Sequence, residues 1–224
     1  MKIMKNTAIM MAIYGMTLTA HAATISWSGS TAATSSFNEN TLSPGLFSTT
    51  GTLIEAQNLG GAATTFDGIS FAAGTQSFGK TYDGFHDSLQ ELSKTGTYND
   101  NGTPATINLT GLVVGHTYSI QALIFDGRGD SFAVGRTVSF DGLNLGTYAN
   151  GVTGVTWGTG LLATGNFTAD STTQSFTVES FSGASSNGGQ LNAFTLHQTA
   201  VPEASSLLLG VLGSFGLLRR NRRA

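Results

Sequence analysis

Gly, Thr and Ser supply 75 of the 178 residues between Ala23 and Ala200. That density rules out a mainly helical body, because Gly is costly inside a helix and Ser and Thr compete for the backbone's own hydrogen bonds. Apolar residues still recur at regular intervals, which a disordered chain would lack. Short strands joined by tight turns satisfy both facts. Period-two or continuous apolar patterning places strands near residues 24–27, 53–59, 66–71, 106–109, 118–125, 138–140, 176–178 and 191–197. The run at 118–125 is almost wholly apolar, as suits a central strand buried on both faces. Phe181 breaks the alternation of Phe176 and Val178, which suggests a bulge near Ser180. Turn dipeptides separate these runs: Asn101-Gly102, Gly115-His116, Asp126-Gly127, Asp141-Gly142, Asn150-Gly151 and Asn187-Gly188. One helical period, Phe85, Leu89 and Leu92, predicts a short helix between Asp83 and Lys94. The expected fold is all-β: an antiparallel β-sandwich, jelly-roll-like, with that one short helix.

The two ends have a different character. Six of the ten Lys and Arg residues lie there: Lys2, Lys5, Arg219, Arg220, Arg222 and Arg223. Lys2 and Lys5 precede an apolar run over residues 8–18, and Ala20-His21-Ala22 follows. This charged, apolar, small-residue order is that of a secretory signal peptide cleaved after Ala22. At the other end, residues 207–218 are apolar or small, and Arg219-Arg220-Asn221-Arg222-Arg223 closes the chain. The run is short for a full bilayer span of about 20 residues. Its arginines favour the cytoplasmic side and can reach headgroups. The chain therefore divides into a signal peptide (1–22), one β domain (23–200) and a C-terminal segment (201–224).

This tail resembles the PEP-CTERM sorting signal of bacterial exported proteins. In that family a Pro-Glu-Pro motif precedes a Gly/Leu-rich helix and an Arg-rich end. Pro202 and Glu203 match, Ala204 stands in place of the second proline, and Arg219, Arg220, Arg222 and Arg223 form the basic end. The resemblance implies processing by an exosortase near Pro202-Glu203, after signal peptidase has acted at the other end. The competing reading is an ordinary C-terminal membrane anchor, and both place the body outside the cytoplasm. In the body, Ile107 to Tyr118 carries a Leu-x-Gly-Leu turn, Gln121 to Phe125 leads to Asp126 and Arg128, and Gln190-Leu191-Asn192-Ala193-Phe194 closes it. These stretches resemble secreted β-sandwich proteins with the same tail and, more loosely, galactose-binding-like jelly rolls. The same pattern occurs in fibronectin-type sandwiches, so topology stays open.

Charge and cysteine content exclude several functions. The body holds 12 acids against 4 bases, a net charge of −8, which offers nothing for phosphate contacts with nucleic acid. With no cysteine, a disulfide scaffold, a thiol nucleophile and a thiolate metal site are all excluded. No known catalytic motif appears, and no cofactor is expected. Asp126, Asp130 and Asp141 are weak candidates for a calcium site, since a hard cation takes oxygen ligands, but their spacing does not match a calcium loop. The plainer reading is a solvated turn with Arg128 paired to an acid. His86 and Asp87 on the expected helix, near Asp83 and Glu91, read first as surface polar residues, as do His116 and His197. Aromatic rings are more suggestive, because sugars stack apolar faces on them. Trp157, Tyr98 and Tyr82 are the candidate ligand-binding residues. Tyr148 lies in similar Gly-rich surroundings, while Trp27 reads as core. The expected function is that of an exported cell-surface or extracellular-matrix protein, not an enzyme, with a structural or polysaccharide-binding role and exopolysaccharide as the partner. The alternative class is a secreted glycan hydrolase drawing on carboxylates such as Glu55, Glu91 and Glu179.

Overall fold

The computed structural model of the protein describes residues 23–32, 42–74, 80–83, 92, 95–99, 102–125, 134–150, 160–182 and 184–200. Their strands, in chain order, are β1 (Ser26–Ala32), β2 (Thr52–Asn58), β3 (Thr64–Phe66), β4 (Ile69–Ala73), β5 (Lys80–Asp83), β6 (Thr95–Tyr98), β7 (Ala105–Leu109), β8 (Thr117–Ile124), β9 (Val134–Phe140), β10 (Leu143–Asn150), β11 (Leu161–Thr168), β12 (Gln174–Ser182), β13 (Ser185–Gly188), β14 (Gln190–Leu191) and β15 (Ala193–Ala200). They form a seven-stranded sheet in the order β1-β11-β8-β15-β2-β4-β3. A five-stranded sheet runs β10-β9-β12-β13, with β7 also on β12, and a three-stranded sheet runs β14-β6-β5.

β8 lies inside the large sheet, between β11 and β15. Its apolar run has the predicted consequence: alternate residues face two different cores. Ile120, Ala122 and Ile124 join Ala163, Phe167, Phe194 and Leu196 of the same sheet, and meet Ile107, Val138, Phe140, Phe176 and Val178 of the five-stranded sheet. Leu123 faces the other way, with Leu162 and Ala193, toward Leu42, Phe47, Ile69, Phe71 and Leu92. The large sheet is thus covered on both faces, and residues 42–50 supply part of the second cover.

The first core is closed by aromatic contacts between sheets. Trp27 on β1 stands 4.5 Å from Phe140 and 5.2 Å from Phe176, centroid to centroid. Gly165 on β11 makes room for it: a Cβ there would lie 2.6 Å from Ile25 Cγ2 and 2.9 Å from Trp27 Cε3. Trp27 is therefore core, as its size predicts.

Several sequence expectations need correction. Residues 66–71 are not one strand. Phe66 ends β3 and Ile69 begins β4, joined by Asp67 and Gly68 at φ 50° and 77°. Two positive φ angles at an Asp-Gly pair make the tight hairpin turn whose twist suits the flanking strands. That reversal has a second effect. β4 runs in the same direction as β2, so their pair is parallel and the large sheet is mixed, not antiparallel throughout. The run 191–197 is also two strands, broken at Asn192. β5, β6, β10, β11 and β13 had no sequence signal that singled them out. The bulge expected near Ser180 is not in β12, which pairs with β9 in unbroken register from Val178 to Ser182; the shift opposite Ser180 and Phe181 puts the extra residue, Asn187, in β13. Of the expected helix only Leu92 is described; it is helical and buried, and the remainder lies outside the described residues.

Asn192 is the joint between sheets. Leu191 pairs with Thr97 in the three-stranded sheet, and Ala193 pairs with Leu123 and Asn58 in the seven-stranded one. The chain changes sheet across one residue. The Asn192 backbone donates to Leu123 O at 3.0 Å and accepts from Leu59 N at 2.8 Å. Its side-chain Oδ1 accepts from Phe125 N at 2.7 Å, and Nδ2 donates to Thr95 O at 2.9 Å. Beside it, Gln190 Nε2 donates to Phe125 O at 3.2 Å. Thr95 Oγ1 donates to Asn58 Oδ1 at 3.4 Å.

Asn192→Ala leaves the buried Phe125 N–H and Thr95 C=O without these partners. At roughly 1–3 kcal/mol for each buried group that loses this bond, the variant is expected to lose about 2–5 kcal/mol in urea unfolding. Asn192→Asp conserves shape but turns an acceptor toward Thr95 O. It should be no more stable than the alanine variant, and near-native stability would refute the role given to Nδ2.

Candidate functional site

Asp141 is the one calcium candidate among the described residues. It opens the two-residue turn between β9 and β10, with φ 48°, and Gly142 follows at 81°. Its Oδ2 accepts from Trp27 Nε1 at 2.9 Å. Its Oδ1 accepts from Thr177 N at 2.8 Å and from Thr177 Oγ1 at 3.2 Å. The carboxylate thus ties the β9–β10 turn to β12 and to the indole that closes the core. Among the described residues no group of three or more His, Asp or Glu is placed to hold a metal ion. Asp126 and Asp130 lie outside the described residues.

The aromatic candidates separate. Tyr82 and Tyr98 come together in one ladder of the three-stranded sheet: Lys80 pairs with Tyr98, and Tyr82 pairs with Gly96 two residues away. Tyr98 is half-buried at the end of β6. β6 is held close to the large sheet by two glycines, since a Cβ on Gly60 would lie 2.4 Å from Gly96 N. Tyr148 is not a surface aromatic; it is fully buried, and its hydroxyl donates to Gln190 Oε1 at 3.4 Å. Trp157 lies outside the described residues. So do Ala20 and Ala22 at the signal cleavage point, and Pro202, Glu203, Ala204, Arg219, Arg220, Arg222 and Arg223 of the tail.

Two titratable groups have shifted affinities for protons. Burial pushes the Glu55 carboxyl above its usual range, and a hydrogen bond from Gln57 Nε2 to Oε1 partly offsets this. Both side chains belong to β2. Burial holds the His197 imidazole below its usual range, which favours the neutral ring at the packed end of β15. Glu55 is on the seven-stranded sheet and Glu179 on the five-stranded one. His116 Nδ1 and Asp170 Oδ1 are buried atoms without a hydrogen-bond partner, on two neighbouring loops.

The polar residues with most structural consequence escaped the sequence reading: Asn58, Thr95, Gln190 and Asn192. All four are buried. The available signal was the pair of amides inside Gln190-Leu191-Asn192-Ala193-Phe194, because a buried amide must find partners.

Asp141→Ala removes the acceptor of Trp27 Nε1 and Thr177 N and puts Ala at a positive φ. The expected loss is about 2–3 kcal/mol, the same with and without calcium. In a Trp157→Phe background, which leaves Trp27 as the only tryptophan, its emission should shift as well. A loss seen only with calcium present would instead make Asp141 a metal ligand.

No family model matches the chain, and no curated protein is detectably similar to it.

Proposed function

We propose that the chain is an exported protein of the cell surface or extracellular matrix, sorted by its tail, with a structural or polysaccharide-binding role and no catalytic one. The finer architecture we propose is a jelly-roll-like sandwich, in which β8, β11 and β15 face β7, β9 and β12 across the Trp27 core. One observation carries the export reading: the folded body fits between the two address segments. Ala23, the first residue after the expected cleavage point, packs on the core, and its carbonyl accepts from Gln174 Nε2 at 2.7 Å. Ile25 is already buried. At the other end Ala200 pairs with Thr117, and the Pro202-Glu203 motif follows at once. Removal of both segments would therefore leave every described strand in place.

The binding reading is supported by the pairing of the Tyr82 and Tyr98 segments in one ladder. Mass spectrometry of the protein recovered from the cell surface tests the export reading. The expected chain begins at Ala23 and ends near Pro202-Glu203. An intact segment 207–223 in the surface form would sink sorting by tail removal. A polysaccharide array tests the binding reading. The protein should retain a subset of glycans, and Trp157→Ala should weaken them about tenfold, the worth of one good ring contact. If neither protein retains any sugar, the structural role alone stands.

A further inference from the structure

Five large apolar side chains are well exposed among the described residues: Leu53, Ile54, Val113, Val114 and Leu143. Scattered apolar residues on a surface need no explanation, but four of these five are not scattered. β15 ends at Ala200, opposite Thr117, the first residue of β8. The loop carrying Val113 and Val114 runs directly into Thr117. On the other side of β15, Gln198 pairs with Thr52 and His197 with Leu53. The two apolar pairs thus flank the point where the chain leaves the domain. Leu53 and Ile54 stand on β2, and the valine loop leads into β8, two sheet spacings away, about 10 Å.

The valine loop is built to hold this exposure. His116 N donates to Val113 O at 3.1 Å, and Gly115 has φ 84°. This is the tight turn that needs glycine at its third position, and it puts Val114 at the tip. Val113 N donates to the hydroxyl of buried Tyr118 at 2.8 Å. Leu112 N donates to Thr172 O, Gly115 N to Ala169 O, and Ala169 N to His116 O. The backbone polar groups of the tip are turned inward to the neighbouring loop, while Val113 and Val114 remain 48% and 57% exposed.

We infer that this end of the domain is the face that rests on a lipid bilayer while residues 207–218 are inserted in it. The inference rests on the reading of that apolar, arginine-closed run as membrane-inserting. Six residues, 201–206, separate Ala200 from Leu207. Fully extended they span about 20 Å, so the exit end is held close to the lipid surface and cannot turn far from it. Tethering at this range makes a weak apolar contact effective, because the second contact is intramolecular. Val113, Val114, Leu53 and Ile54 then orient a domain that the tail anchors.

The chain has no cysteine, so single labelling sites are clean. Val114→Cys, Leu53→Cys and Ala63→Cys are each made in the full chain and labelled with an environment-sensitive fluorophore. Each is reconstituted with zwitterionic phosphatidylcholine vesicles carrying a headgroup-level nitroxide quencher. Neutral lipid avoids repelling the acidic body. Ala63 is exposed beyond the far end of β2, whose length of about 20 Å separates it from the exit end. The expected result is flotation with the vesicles, with the labels at positions 114 and 53 quenched at least twofold more than the label at 63. Flotation with equal quenching at 114 and 63 overturns the inference and leaves the tail reading standing. Failure of the full chain to float overturns the tail reading, and this inference with it.

Discussion

Asn192 is where the three-stranded and seven-stranded sheets become one body. A strand that ends in one sheet and restarts in another must leave peptide groups behind, in a place water does not reach. Here the abandoned groups are Phe125 N–H, where β8 stops, and Thr95 C=O, where β6 starts. An asparagine side chain offers one acceptor and one donor at a fixed separation, which suits that pair. Gln190 accounts for the Phe125 carbonyl in the same way. In a chain without cysteine, such buried amides do part of the work that crosslinks do elsewhere. They add directional constraint that apolar packing lacks.

The second constraint is the closure of the Trp27 core. A large indole on β1 can reach Phe140 and Phe176 only because Gly165 leaves a gap beneath it. Its N–H then needs an acceptor at the rim, and Asp141 stands there because the β9–β10 turn places it at a positive φ. Turn geometry, packing and hydrogen bonding meet at one residue. The engagement of Asp141 is not visible from its own stretch of chain. The sequence shows the acid and the turn, but not the indole 114 positions away that engages it.

Legibility followed the strength of the apolar signal. β8 was readable because both its faces are buried and its run is continuous. β11 was not, because Gly165 and Asn166 interrupt it, although Leu161, Ala163 and Phe167 are all core. β6 reads Thr-Gly-Thr-Tyr and has no apolar alternation, yet Thr95 and Thr97 are buried. Its position depends on the close approach of Gly96 to Gly60, a contact between distant glycines that no local pattern encodes. The break at Asn192 was hidden inside what looked like unbroken alternation. Of the candidate binding residues, Tyr82 and Tyr98 proved to share a ladder, which neither residue's neighbours suggest. Tyr148 lies in Gly-rich surroundings that give no sign of burial, yet its ring is fully buried in the core.

The two ends of the domain are not equivalent in the sheet, and this bears on where a tail can be removed. Among the described residues β1 is an edge strand, paired only with β11 in its sheet. β15 is internal, joining β8 to β2 along nearly its whole length. Trimming at the N-terminal side of Ile25 touches few contacts. Cutting into β15 would separate β2, β4 and β3 from the rest of the sheet and open both cores. The hydrogen-bond ladder of β15 persists to Ala200. A removable segment must therefore begin beyond Ala200 if the body is to survive its loss, and the Pro202-Glu203 motif begins two residues further on. Proline, with no N–H to offer a ladder, also makes that point a natural end to strand pairing.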